Sequence, residues 1–280
     1  MQVRGIDFTS RPGRRKPLTC VTATASGMAG SRTVLEVGSL DHWTDFAGLE
    51  AALAAPGPCV TGLDFPFGQS RRFIETIGWP GDWAGYVAHV AGLDRAAFRL
   101  ALEDYRRDRP KGDREHRRAM DRATGAISPQ KLYGVPVALM FFEGAPRLRA
   151  AGVTIPGLQA GDPDRICVEA YPGVLARRLI GRRSYKSEDR KKQTPALAAA
   201  RADILAAAQG DPLAAAYGLT VALPPDLAAA MQDDAGGDSL DALLCAVQAA
   251  WSWGRRDRGW GMPPGADALE GWIADPVCGG

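Results

Sequence analysis

The sequence predicts an α/β fold: a mixed sheet of about five strands flanked by helices, with a helical insertion over about 70–160. Three observations predict it. Three strand-like runs follow one another at the start. A run apolar on both faces, Cys59 to Phe65, follows the first helix. A late strand, Ile166 to Ala170, comes before a strongly amphipathic helix. Strands joined by short turns pair antiparallel, and strands joined through helices pair parallel, so the third strand is expected antiparallel to its neighbour.

The elements read in order as follows. Val3, Ile6 and Phe8 form an apolar run around Asp7 that ends at Ser10-Arg11-Pro12-Gly13. Leu18 to Ala25 is rich in Thr and Val, a second strand, and Thr33 to Val37 is a third after a turn at Gly30-Ser31. Asp41 is expected to cap the first helix, in which Phe46, Leu49 and Leu53 recur at helical spacing until Pro56-Gly57. Cys59 to Phe65 fits a buried central strand. The stretch 70–160 is helical, aromatic and charged, punctuated at Pro80-Gly81, Pro110-Lys111-Gly112, Ser128-Pro129 and Pro146. After Ile166 to Ala170, Ala-rich helices are expected at 195–208 and 225–232. Gly236-Gly237-Asp238 opens the last helix, with Asp238 as a natural N-cap and Leu240, Leu243, Leu244, Val247 and Trp251 as one apolar stripe. Residues 1–253 form one domain by this reading, and 254–280, rich in Gly and Pro, a C-terminal surface tail.

Composition narrows the class. The chain has 280 residues, 46% hydrophobic and 24% charged, which excludes wholesale disorder. No run approaches the roughly 18 apolar residues of a membrane helix. Arg4 and Asp7 interrupt any signal-peptide-like start, so a cytoplasmic protein is expected. The five cysteines and three histidines are dispersed, which argues against a disulfide framework and against a zinc or histidine metal site.

Carboxylates stand where apolar strands leave little room for them. Asp7, Asp64 and Glu169 lie inside or at the ends of strands, and Asp238 and Asp241 head the last helix one turn apart. A buried carboxylate costs several kcal/mol unless it is paired or bound to a metal. Gathering these acids around a divalent cation removes their mutual repulsion. An oxygen-only ligand set suits Mg²⁺ or Mn²⁺, and two such ions about 4 Å apart stabilise the attacking and leaving oxygens of phosphodiester hydrolysis. Structural roles compete residue by residue: Asp238 as a cap, Asp241 as a partner of the helix dipole, Asp64 as a turn acid, Glu169 as a partner of Arg165 or Arg177.

The motifs GIDFTS, GLDFPFG, VEAYPG and GGDSLDALLCA, in this order, resemble those of domain-of-unknown-function family 429, whose members are predicted ribonuclease-H-like nucleases. HRRAMDRATGAISPQKLYGVPVALMFFEGAPRL and YKSEDRKKQTPA are similar to further stretches of the same family, so the resemblance covers roughly 3–253. The last motif also resembles the end of the active site of the RuvC Holliday-junction resolvase. The resemblance implies a ribonuclease-H-like fold and a metal-dependent nuclease. It implies Asp7 as the first-strand acid that touches both metals, Asp64 as the fourth-strand acid and Asp241 as the final helix acid, with Glu169 beside them. Ribonuclease H also uses an acid of its first helix. Asp45 and Glu50 here match no motif.

Basic residues mark an anionic partner, nucleic acid or another phosphate-bearing substrate. Residues 177–192 hold eight basic side chains against Glu188 and Asp189, among them Arg182, Arg183, Lys186, Lys191 and Lys192. In the insertion Arg114, Arg117, Arg118 and Arg122 fall near helical spacing on one side, with Lys131 in a polar turn and Tyr133 available to stack on a base. Both segments are expected to flank the acids. The structural alternatives are a solvated helix face for 177–192 and, for the insertion, an exposed helix salt-bridged to Asp108, Asp113, Glu115 and Asp121. Two other functions stay open at this point. One is a non-catalytic nucleic-acid-binding module of the same fold. The other is an ATP-dependent phosphotransferase, suggested by Thr9, Ser10 and Gly13 after Asp7, although only one copy of the core is found.

Overall fold

The computed structural model describes residues 1–27, 33–187 and 189–278. The turn expected at Gly30-Ser31 lies outside them, as does Glu188. The chain runs through β1 (Gln2–Asp7), β2 (Leu18–Ser26), β3 (Thr33–Trp43), α1 (Ala47–Ala54) and β4 (Cys59–Leu63). Helices α2 (Arg71–Ile77), α3 (Trp83–Ala91), α4 (Arg95–Arg107), α5 (Ala119–Thr124) and α6 (Val137–Ala151) follow. Then come β5 (Val153–Thr154), β6 (Asp162–Glu169), α7 (Pro172–Ile180), α8 (Pro195–Ala208), α9 (Asp211–Tyr217), β7 (Leu219–Ala222), α10 (Pro225–Asp233) and α11 (Asp238–Trp253).

Among the described residues the sheet has seven strands, in the order β5-β6-β4-β1-β2-β3-β7. The expected five become seven because β5 and β7, two and four residues long, are too short to carry a readable period. β2 pairs antiparallel with both β1 and β3, and every other pair is parallel. The third strand is thus antiparallel to its neighbour, as its short connection requires. It continues to Trp43, so Asp41 sits in the ladder opposite Cys20 and caps nothing. The Asp45 carboxylate accepts from Ala47 N at the start of α1 instead.

Strand parity separates the two faces. Val3, Gly5 and Asp7 of β1 share one face with Val60, Gly62 and Asp64 at β4. Val3, Val60, Ile166 and Val168 join the core formed with α7 to α11. Ile6, Leu63 and Cys167 join a second core formed with α1 and the inserted helices.

Helix α11 is more than the expected amphipathic element. Its residues from Ser239 to Ser252 are buried on every side. A second stripe, Ala242, Cys245, Ala246 and Ala249, lies at i, i+3, i+4 and i+7 and meets Gly5 and Gly62, which pair with each other in the β1–β4 ladder. A Cβ on Gly5 would lie 2.0 Å from the Ala242 carbonyl oxygen, and one on Gly62 would lie 2.4 Å from that of Cys245. Backbone cannot yield that much without moving the helix. Gly5→Ala is therefore expected to cost about 3 kcal/mol or more in urea denaturation. Gly38→Ala, whose Cβ would meet nothing closer than 3.6 Å, is the control. Equal midpoints for the two variants would contradict this packing.

The expected surface tail is core over its second half. Leu269, Trp272, Ile273, Ala274 and Asp275 are buried. Trp272 Nε1 donates to Pro156 O at 2.9 Å, and Ala274 N donates to Glu169 O at 2.8 Å. Asp275 accepts from Gln248 Nε2 of α11 at 3.0 Å and from the Tyr217 hydroxyl. The Gly and Pro content sets turns in this segment, while its few large apolar side chains fasten it beside β6.

Candidate metal centre

Gly5-Ile6-Asp7 and Gly62-Leu63-Asp64 place each acid two residues after a glycine, on the face that the glycine opens to α11. Asp7 ends β1 and Asp64 follows β4, held in register by Asp64 N donating to Ile6 O at 3.0 Å. Asp241 lies in the first turn of α11, just before the residues that meet the glycines. One carboxylate oxygen from each of Asp7, Asp64 and Asp241 lies within 4.8 Å of the other two. The three acids named from the sequence thus meet at one edge of the sheet.

Asp7 and Asp241 are buried and Asp64 is partly exposed. Asp7 Oδ2 is buried with no hydrogen-bond partner. Burial, then the Asp241 charge, pushes the Asp7 carboxyl well above its usual range and pushes Asp64 up to about 7. Asp241 has both oxygens engaged. Tyr185 OH donates to Oδ1 at 2.5 Å, and the Lys186 ammonium contacts Oδ2. Gly237, with φ of +77°, makes room for this: a Cβ there would stand 2.8 Å from Lys186 Cβ. Arg201 holds the same segment by donating to Tyr185 O at 2.9 Å and to Gln232 O at 2.7 Å.

The donor set fits a hard divalent cation. Two oxygens on one Mg²⁺, each at about 2.1 Å, stand at most about 4.2 Å apart, so a small closing motion completes the set. The orphaned oxygen of Asp7 is the group such an ion would satisfy. From pH 6.5 to 8 the metal-free protein is expected to lose stability, because folded Asp7 and Asp64 keep protons that the unfolded chain has already released. Glu169, raised mainly by burial, acts in the same direction. His116, held low by burial, acts in the opposite direction, mainly below this range. Urea midpoints at the two pH values test this, and a midpoint that rises with pH would contradict it.

Other expected site residues fall elsewhere. Asp238 is not the cap. Asp234 accepts from Gly236 N, Gly237 N and Ser239 N, which leaves the Asp238 carboxylate to pair with Lys16 Nζ at 2.6 Å. Lys16 arrives through a tight turn in which Gly13 and Lys16 exchange backbone hydrogen bonds. Glu169 stands opposite Leu63 in the ladder and so faces the insertion, away from the triad. There it binds Arg118, with Nη2–Oε1 at 2.5 Å, and accepts from Phe67 N at 2.8 Å.

The basic residues divide likewise. Arg118 is 1% exposed and forks between Glu169 and Asp121, so it offers no surface charge. Arg114 and Arg117 are not helical at all. Pro110 and Gly112, with φ of +101°, lie in an irregular stretch from 108 to 118, and α5 begins only at Ala119. Arg114 donates to Arg109 O, and Arg122 donates to Arg117 O. Arg117 and Arg122 line a separate cavity with Glu115 and Glu270. Lys191 and Lys192 lie in a short 3-10 turn and line none of the cavities at the triad.

Three cavities meet at Asp64. One of about 460 Å³ holds Asp7, Thr9, Ser10, Lys16 and Lys186. Another of about 420 Å³ is lined by Arg177, Arg182, Arg183 and Lys186. The third, about 230 Å³, is largely apolar and has Lys131 at its edge. Lys16 and Tyr185 are the site residues that the sequence reading missed.

A mixed α/β sheet with a carboxylate triad at the ends of two central parallel strands, closed by a buried helix, defines an acid-triad domain whose carboxylates could hold a metal ion. The chain belongs to the family described as Protein of unknown function (DUF429), whose profile matches residues 5–267. Neither the comparison with curated proteins nor that with solved structures returned a match. Among the described residues, no helix is long and apolar enough to cross a membrane.

Proposed function

We propose that this chain is a metal-dependent phosphodiesterase of ribonuclease-H-like fold that acts on nucleic acid, with Asp7, Asp64 and Asp241 as the ligands of Mg²⁺ or Mn²⁺. The observation that carries the reading is the convergence of three carboxylates from three separate elements within 4.8 Å, one of them with a buried oxygen that has no partner. The fold assignment rests on the element order. Antiparallel β1-β2-β3, α1, parallel β4, and later β6 with an acid-headed helix is the order read as ribonuclease-H-like from the sequence.

A divalent ion bound at the triad supplies a polarised phosphoryl oxygen and a more acidic water. The chain's own groups do the rest. Lys186 and Lys16 set positive charge on the wall of the first cavity, where a phosphate draws on both. Arg182 and Arg183 carry the adjoining backbone through the neighbouring cavity. Asp64, the most open of the three acids, stands where the cavities join and faces the attacking water.

A second reading is a non-catalytic nucleic-acid binder. The engagement of both Asp241 oxygens by Tyr185 and Lys186 favours it, because a carboxylate so paired is satisfied without an ion. Incubation of the protein with labelled single-stranded, duplex and branched DNA and RNA, with Mn²⁺ and with chelator, separates the readings. Cleavage that requires Mn²⁺ is the expected result. Binding without cleavage selects the second reading.

A further inference from the structure

Apart from Asp64, the apolar cavity contains none of the residues to which the proposed function gives the metal or the phosphate. Phe65, Ile127, Val135, Val137, Met140 and Tyr171 line it. Ile127, Tyr133 and Val135 are three of the five large hydrophobic side chains exposed among the described residues, and all lie in one nine-residue stretch from which Ile127, Lys131 and Val135 line the cavity. Isolated exposed apolar side chains are ordinary, but a group of them around a concave pocket marks a ligand site.

The cavity is continuous with the acid centre, because Asp64 belongs to its wall as well as to the two charged cavities. Its occupant therefore joins an apolar part to an anionic part over a short span. Lys131 stands at the edge, 5.2 Å from the Tyr133 ring. The buried charges of Arg118, Asp121 and Glu169 at the floor pair with one another, so Arg118 is already engaged and offers no cation to a phosphate there. A planar heteroaromatic group fits this combination. It stacks on aliphatic and aromatic walls while its polar rim meets Lys131 and water.

We infer that the cavity bounded by Ile127, Val135, Met140 and Tyr171 is a nucleobase subsite that holds the base next to the phosphate lying at the triad. The inference rests on the phosphodiesterase reading for the phosphate alone. The base contact does not depend on a metal.

Calorimetric titration of the full chain with adenosine 5′-monophosphate and with ribose 5-phosphate, each with Mn²⁺ and with chelator, tests it. The nucleotide is expected to bind about tenfold tighter than the sugar phosphate. Ile127→Asp and Ile127→Asn, at an exposed position that lines this cavity and neither of the charged ones, are expected to remove that advantage and to leave ribose 5-phosphate binding and far-ultraviolet circular dichroism unchanged. Equal affinity for the two compounds in the wild type would overturn the inference, as would an advantage that survives both substitutions. Octyl phosphate binding tighter than the nucleotide, and losing that lead in the variants, would reassign the cavity to an alkyl chain. If Mn²⁺ changes neither melting nor binding while the nucleotide keeps its advantage, the metal reading fails and the base subsite stands.

Discussion

Asp7→Asn is expected to abolish the stabilisation that Mn²⁺ gives the wild type, and to raise the melting temperature of the metal-free protein. Asp7 is buried, has an oxygen without a partner, and repels Asp241, Asp238 and Asp64. Asn keeps the shape and cannot ionise, so the metal-free fold no longer has to hold a proton on Asp7 that the unfolded chain releases. With Mn²⁺ at about a hundred times its dissociation constant, mass action gives the wild type about 2.7 kcal/mol. For a chain of this size that is a rise of roughly 5–10 °C. The variant, with one ligand neutralised, is expected to shift by less than about 2 °C. Equal shifts in the two proteins would remove Asp7 from the ligand set.

Arg118→Met is expected to cost about 3–5 kcal/mol, although Arg118 touches none of the triad. The guanidinium is buried and donates to Asp121, to Glu169 and to the Glu270 carbonyl, so it ties the insertion, β6 and the C-terminal segment together. Met fills similar space but leaves two carboxylates buried without a counter-charge. The loss should be larger at pH 8 than at pH 6, because Glu169, already raised by burial, then takes up a proton at the lower pH. Adding Glu169→Gln should recover part of the loss. A cost under about 1 kcal/mol at both pH values, measured by urea denaturation, would show the network to be dispensable.

What the sequence made legible, and what it did not, follows from periodicity. Asp7, Asp64 and Asp241 stood out because a carboxylate in an apolar strand or at the head of a buried helix needs a reason. Glu169 met the same criterion and faces the other way. Ile166 and Val168 turn to α11, which leaves Cys167 and Glu169 for the insertion. The sequence did hold a discriminating signal. Asp7 and Asp64 each follow a glycine by two residues, and those glycines mark the face on which α11 approaches, whereas Cys167 precedes Glu169. The stripe Ala242, Cys245, Ala246 and Ala249 was equally readable as the side of α11 that meets glycine.

Other features depend on tertiary contacts that no local pattern encodes. Arg117 and Arg118 are adjacent, yet one is exposed and the other is buried. Only the position of Glu169 and Asp121 in space decides between them. The helical spacing of Arg114 to Arg122 lost its meaning because Pro110 and Gly112 lie in an irregular stretch that ends only at Ala119. The burial of Asp275 likewise depends on Gln248 and Tyr217, 27 and 58 residues away.

Anomalous scattering from crystals soaked in Mn²⁺ tests the central claim most directly. The expected result is a manganese peak within ligand distance of oxygens from Asp7, Asp64 and Asp241, with the Lys186 ammonium moved off Asp241. Full occupancy of manganese elsewhere, with Lys186 still seated on Asp241 and no peak at the triad, would contradict it.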